Sequence, residues 1–206
     1  MCLLLMYSYA SRAVPWLRIM LAASLVVILV ELVRWKPWTL WPLEGAAVGL
    51  LAGAAAWCFD ETAAVVVDPT PRGRAWRALA RSPAIAVLVL TWTLAVIHAG
   101  DAALFGHRDA VLLQGYAAIS IGAGYACWRR SRGEASPGSV FAGIVVPAAT
   151  AWALVRPFGE YVAVFPYGTT SARGWDLSTV GWLAVGAVAM LALVGVLAEV
   201  QWCSFP

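Results

Sequence analysis

Long apolar stretches separated by short polar segments dominate the hydrophobic pattern of the chain. A helix that crosses the hydrocarbon core of a bilayer needs about 20 predominantly apolar residues, within a range of roughly 17–25. Six stretches approach or reach this length and carry charge only near their ends. They lie at about 15–33, 43–59, 83–99, 110–128, 140–155 and 180–200. The pattern predicts an all-α polytopic membrane protein with about six transmembrane helices in a single transmembrane domain, residues 1–206.

Composition strengthens this prediction. The chain has 206 residues, of which 62% are hydrophobic and 12% charged, and its mean hydropathy is +0.79. A soluble domain usually carries about 25% charged residues. The net charge is only +3, and the cations stand at the ends of apolar stretches rather than along one stripe. The lipid bilayer is therefore the expected environment, and nucleic acid is not an expected partner.

Arginine clusters predict the orientation of the chain. Lys and Arg near the ends of spans are retained on the cytoplasmic side of the membrane. Arginines lie between the second and third stretches and between the fourth and fifth, at Arg72, Arg74, Arg77, Arg81, Arg129, Arg130 and Arg132. We expect both loops, and with them both termini, to be cytoplasmic. Lys36 is the only lysine, and this composition is typical of a high-GC bacterial genome, so the expected location is a bacterial plasma membrane.

The second apolar stretch carries a stripe of small residues. Gly45, Gly49 and Gly53 recur at every fourth position among alanines. Such a stripe allows the backbone of another helix to approach closely. It serves either a contact between subunits or ordinary packing within one bundle. The first interpretation predicts that these glycines form the contact of a homodimer, or of a complex with a homologous membrane subunit.

An acidic and valine-rich segment follows this stretch. Asp60 and Glu61 stand together at its start. Thr70 and Pro71 favour the start of a helix, because a threonine hydroxyl can cap the first amides and proline has a helical φ. Arginines then follow at helical spacing, at Arg74, Arg77 and Arg81. We expect an amphipathic helix on the inner membrane surface, and a solvated basic loop is the alternative.

The same segment resembles a known family. The run Asp60-Glu61-x-Ala63, then Val66-Val67-Asp68-x-Thr70-Pro71 and trailing arginines, is similar to a segment of small six-span proteins, chiefly actinobacterial, that look like membrane subunits of ATP-binding-cassette exporters. Pro69 departs from the alanine expected there. The resemblance implies a separate cytoplasmic ATPase subunit that docks on the loop between spans two and three. The residues implied in this contact are Asp60, Glu61, Asp68, Thr70, Arg74 and Arg77.

Residues 156–179 form an aromatic loop on the predicted outer side. Its aromatic residues are Phe158, Tyr161, Phe165, Tyr167 and Trp175. The resemblance implies a re-entrant cap that folds back toward the membrane. An interfacial loop with an aromatic belt is the alternative.

Candidate catalytic and metal-binding residues are few. His98, Asp101, His107 and Asp109 lie close together in the sequence, and such side chains can bind divalent metals. They form no helical i, i+4 pair and stand beside glycines, so solvated loop residues are the favoured interpretation. Both histidines lie at one membrane edge, which argues against haem ligation. No Walker A, GxSxG or HExxH sequence occurs, so no catalytic activity, metal or cofactor is predicted.

Almost nothing within the apolar stretches is ionisable: Glu31 and Glu199 lie near span ends, close to water, and no buried acid or base is expected, which disfavours proton-coupled transport. The favoured function is a permease-like membrane subunit of an ATP-binding-cassette exporter that moves an amphipathic cargo such as a lipid, a peptide or an apolar natural product. One alternative is a scaffold or accessory subunit without a transport pathway. Another is a small intramembrane enzyme.

Overall fold

The structure is a computed structural model that describes residue 9 and residues 11–61, 74–155, 164–166 and 170–202. Six of its helices are long and apolar enough to cross a membrane, which confirms the predicted all-α fold with six such helices. The bundle is built from α1 (Trp16–Trp35), α2 (Leu40–Trp57), α3 (Arg74–Ala80), α4 (Ser82–Ala103), α5 (Arg108–Ser131), α6 (Pro137–Val155) and α7 (Ala172–Trp202). The short helix α3 is not one of these six.

Short turns separate several of the spanning helices. A 3₁₀ turn at Pro37–Thr39 joins α1 to α2, and the Thr39 hydroxyl donates to the Lys36 carbonyl at 2.7 Å. The regular part of α4 ends at Gly100, whose φ is +77°. A side chain is rarely tolerated at this φ, so glycine allows the chain to leave the span sharply there.

Helix α2 lies at the centre of the bundle and is packed mainly through alanine and glycine. Its glycine stripe faces α6 of the same chain. A Cβ built on Gly49 would lie 3.0 Å from the Ala149 Cβ, and one built on Gly53 would lie 3.0 Å from the Ala142 Cβ. This is the arrangement expected of packing within one bundle. The stripe is covered by α6 and therefore offers no free face for the predicted subunit contact.

Helices α6 and α7 form the exposed side of the bundle. No residue in the most apolar window of α7 is buried, although the window is rich in valine, leucine and alanine. Large apolar side chains point outward from both helices, among them Ile144, Leu154, Val188 and Leu191. Because water does not accommodate such a continuous apolar surface, it is suited to lipid or to another membrane subunit.

The described part of the aromatic loop lies against the bundle. Phe165 is buried and its ring centroid is 5.8 Å from that of Trp182 on α7. The Val164 carbonyl accepts from the Trp182 indole at 2.9 Å and from the Ser178 hydroxyl at 3.1 Å. These contacts hold residues 164–166 on α7. Phe158, Tyr161 and Tyr167 lie outside the described residues.

Candidate functional site

A buried cluster of polar side chains lies at the arginine-rich end of the bundle. Glu61, just after α2, forms an ion pair with Arg81, at the junction of α3 and α4, and both side chains are about 95% buried. The Tyr9 hydroxyl donates to Glu61 Oε2 at 2.7 Å, and Arg81 donates to the Tyr9 oxygen at 3.3 Å. The Tyr9 ring also lies 5.3 Å from the Trp76 ring of α3. The cluster therefore joins the N-terminal segment, the end of α2 and the start of α4.

Burial shapes the chemistry of Tyr9. It raises the pKa of the Tyr9 phenol from 10.0 to about 12, and the neighbouring Arg81 guanidinium opposes this rise. The phenol therefore keeps its proton at neutral pH. A protonated phenol can donate to the Glu61 carboxylate while accepting from Arg81, so it links the two charged groups of the cluster.

Asp60 ties the end of α2 to the start of α6. Its Oδ1 accepts from the Gly138 amide at 2.7 Å, and its Oδ2 accepts from the Ser139 amide at 3.1 Å and the Ser139 hydroxyl at 2.7 Å. The first amides of a helix have no partner within the helix and favour a negative charge. Asp60, which follows α2, supplies both a hydrogen-bond partner and a negative charge.

These contacts change the expected roles of the acidic pair. Asp60 and Glu61 are 7% and 4% exposed and engage groups of their own chain, so the structure gives no support to a direct ion pair between them and a separate subunit. Asp68 and Thr70 lie outside the described residues. Arg74 begins α3, and nothing is described of its side chain. The contact with an ATPase subunit thus stays a prediction. In it, Asp60 and Glu61 do not touch the ATPase but fix the ends of the segment 60–81 to the bundle.

Arg77 of α3 and Arg81, which follows α3, do not lie on the inner membrane surface as the sequence predicted. Arg77 and Arg81 are buried, whereas Leu79 is 60% exposed. Helical spacing predicts that the two arginines share a side of the helix, but it does not predict that this side faces the bundle. Glu61 explains the difference for Arg81, because a buried acid makes burial of the guanidinium acceptable.

A second polar site lies in the other half of the bundle and was not expected from the sequence analysis. Glu44, one turn into α2, is 2% exposed, and neither carboxylate oxygen has a hydrogen-bond partner among the described residues. It borders a small cavity of about 10 Å³ with Trp92 of α4, Val111 of α5 and apolar residues of α1. A buried acid without a partner in a spanning helix is a functional candidate by default.

Gln114 on α5 lies at about the same level along the bundle axis as Glu44 on α2. Gly122 of α5 packs against the Ala52 carbonyl of α2, and Val111 shares the small cavity with Glu44, so the two helices run in the same direction. Glu44 and Gln114 each stand eight positions before this contact. Gln114 is 1% exposed, and its amide oxygen and nitrogen also have no partner among the described residues. Two unsatisfied polar side chains therefore occur at one level of the core.

Glu44 could have been found from the sequence, because it is an acid inside the second apolar stretch. The expectation that no buried acid lies within the spans is therefore wrong. Glu44 also removes the ground on which the sequence disfavours proton-coupled transport.

The four candidate metal-binding residues take part in three different sets of contacts. The His107 ring stacks on Trp175 at 4.0 Å, and His98 Nε2 lies 3.1 Å from Arg34 and 3.6 Å from Glu31. Asp101 and Asp109 each lie near Arg108, at 3.6 and 3.9 Å. Among the described residues no group of three or more His, Cys, Asp or Glu side chains converges on a possible metal position.

The fold and these sites define the class of the molecule as a six-helix bundle of the kind suited to a multi-pass membrane protein. Comparisons of the chain with protein-family models, with curated proteins and with solved structures find no match.

Proposed function

We propose that the chain is the membrane subunit of an ATP-binding-cassette exporter and that the segment from Asp60 to Arg81 transmits movement from a separate cytoplasmic ATPase subunit. The resemblance of residues 60–71 to such subunits supports the proposal, as do the six spanning-type helices. In this proposal the middle of the segment, with Asp68 and Thr70, docks on the ATPase.

The observation that carries the proposal is the way the segment is fixed at its base. Its first residue, Asp60, holds the start of α6, and Glu61 pairs with Arg81 at its far end. Both ends of the segment therefore meet at one buried ion pair. In this proposal a force on the segment reaches α2, α4 and α6 together, because its described ends, Asp60, Glu61 and Arg81, contact the ends of these helices directly.

The exposed faces of α6 and α7 support a pathway between subunits rather than within one. Helix α2, at the centre of the described bundle, packs mainly through alanine and glycine, and the cavity at Glu44 measures about 10 Å³, which is too small for a cargo molecule. The outward faces of α6 and α7 are apolar and uncovered. An amphipathic cargo in this proposal moves along that side, at the contact with a second copy or with a homologous membrane subunit.

The small size of the cavity at Glu44 also favours a second candidate, an accessory subunit that stabilises a larger complex and lines no pathway. This candidate needs the exposed face of α6 and α7 equally, but it does not need an ATPase on the segment 60–81. The two candidates are therefore separated by what binds that segment.

Purification from the native membrane tests the proposal. The tagged chain is extracted in mild detergent, and the complex is assayed for ATP hydrolysis. We expect an ATPase to copurify with the wild-type chain and to be recovered severalfold less with Asp68→Asn, because a charge in a desolvated contact contributes to affinity. Asp109→Asn is the matched control, since Asp109 is 95% exposed at the opposite end of the bundle.

Two results contradict the proposal in different ways. An intact complex that contains no ATPase excludes the exporter subunit and favours the accessory subunit. Equal recovery of the ATPase with both aspartate variants removes Asp68 from the docking surface.

A further inference from the structure

Glu44 lies beside a cavity of about 10 Å³ in the apolar core of the bundle. The other described residues that line the cavity carry valine, leucine, alanine and tryptophan side chains and come from α1, α2, α4, α5 and the turn after α4. The Trp92 indole is the one polar group among these side chains, and it donates to the Leu112 carbonyl at 3.1 Å. Glu44 therefore brings the only uncommitted polar side chain to the described wall of the cavity.

The size of the cavity and its polar groups restrict what can bind there. A space of about 10 Å³ is at the lower limit for one water molecule, and a buried water needs about two to four polar partners. Metal cations such as Mg²⁺ and Ca²⁺ take about six to eight oxygen ligands. The side chains of the described wall offer only the carboxyl oxygens of Glu44. A proton needs one oxygen and no additional space, so it is the one cation for which this ligand set is complete.

Charged groups of the surrounding helices do not compensate Glu44. The titratable and charged side chains of α1, α4 and α5 in this half of the bundle are all at least partly exposed, and neither Glu44 oxygen has a hydrogen-bond partner among the described residues. Helix α6, which packs along α2, has no titratable side chain. The exposed groups are Glu31, Arg34 and Lys36 on α1 and the turn that follows it, His98 and Asp101 on α4, and His107, Arg108, Asp109 and Tyr116 at the start of α5.

We propose that Glu44 is a proton-binding site, occupied by a proton while the core is packed and emptied when the core opens to water. An ionised carboxylate without a partner is far more costly in an apolar medium than the neutral acid, so the packed core favours the form that carries the proton. Water that reaches Glu44 removes this preference. Proton release and the opening of α2 against α1, α4 and α5 are therefore coupled. Neither the docking of an ATPase nor the accessory role requires such a site.

Infrared spectroscopy of the purified full-length chain tests the proposal, because a carboxylic acid and a carboxylate absorb at separate frequencies. Near neutral pH, the wild-type spectrum minus that of Glu44→Gln should contain the C=O band of one carboxylic acid per chain. Glu31→Gln is the matched control, since Glu31 is partly exposed and pairs with Arg34 at 2.8 Å. Its difference spectrum should contain carboxylate bands instead. Carboxylate bands in the Glu44 difference spectrum overturn the proposal.

Glu44→Gln keeps the shape of the protonated side chain and should fold. Should it fail to fold, Glu44→Leu takes its place in the subtraction. Failure of both variants to fold overturns the proposal, because it would show that Glu44 serves the structure.

A second measurement tests the coupling to opening. The pH is raised until the wild-type acid band is lost, and hydrogen–deuterium exchange of the α2 amides near Glu44 is followed over the same range. After correction for the intrinsic exchange rate, wild type should exchange faster once the band is lost, and Glu44→Gln should show no such rise. Loss of the acid band with unchanged exchange overturns the coupling.

Discussion

The two polar sites of this bundle are both buried and differ in one respect, which is whether their groups have partners. At the arginine-rich end, Glu61 faces Arg81 and Tyr9, and Asp60 accepts three hydrogen bonds at the start of α6. In the other half of the bundle, Glu44 and Gln114 have none among the described residues. A buried polar group without a partner costs roughly 1–3 kcal/mol, and a charged one more. The first site is thus built to hold the fold, whereas the second weakens it.

That difference separates structural from functional candidates. Asp60 and Glu61 hold the segment 60–81 in place, so they affect function only through the position of that segment. Glu44 has no structural explanation in the contacts around it. An acid that persists in a spanning helix without a partner marks a place for further chemistry within the membrane.

The largest expected effect comes from removing one partner of the Glu61–Arg81 ion pair and keeping the other. Glu61→Gln leaves the buried Arg81 charge uncompensated and should destabilise the protein by about 3–5 kcal/mol, measured as a lowered unfolding transition in detergent. Replacing both residues, as Glu61→Leu with Arg81→Met, should recover much of this loss. If Glu61→Gln unfolds like wild type, the pair does not hold the base of the segment.

A smaller effect is expected where α2 meets α6. Gly49→Leu forces a side chain into the Ala149 contact and should cost about 1–3 kcal/mol, seen in the same unfolding measurement. Gly143→Leu on α6 is the control, since a Cβ there meets no atom within 4 Å. Equal stability of the two variants, together with a loss of oligomers for Gly49→Leu, would restore the subunit-contact interpretation of the stripe.

The smallest effect concerns Tyr9. Tyr9→Phe removes the hydrogen bond to Glu61 and should cost about 1 kcal/mol near neutral pH. Folding raises the pKa of this phenol from 10.0 to about 12, so its contribution is complete below pH 10 and is lost as the pH rises to about 12. The stability difference between wild type and Tyr9→Phe should shrink over that interval. A difference that stays constant there would show that the phenol is not held in the cluster, and Tyr125→Phe serves as the control.

The six spanning helices could be predicted because each rests on a local property, an apolar stretch of sufficient length. The partners of individual side chains could not. The spacing of Gly45, Gly49 and Gly53 predicts a close approach but does not identify α6 as the neighbour. Helical periodicity places Arg77 and Arg81 on one side of a helix, and only the tertiary contacts show that this side is buried.

Glu44 is a different case, because its signal is present in the sequence as an acid within an apolar stretch. The sequence does not show how deeply Glu44 is buried. Residues of α1, α4 and α5 surround it, and their arrangement depends on the whole bundle.

The most direct measurement makes the same substitution in both sites and compares thermal unfolding of the purified protein in detergent. Glu61→Leu removes a paired acid and Glu44→Leu an unpaired one, and the two positions are almost equally buried. The account predicts different effects: Glu61→Leu should lower the unfolding temperature strongly, and Glu44→Leu should raise it or leave it unchanged, since an unsatisfied buried group is removed. A comparable loss of stability in both variants would contradict the account, because it would show that Glu44 also holds the fold.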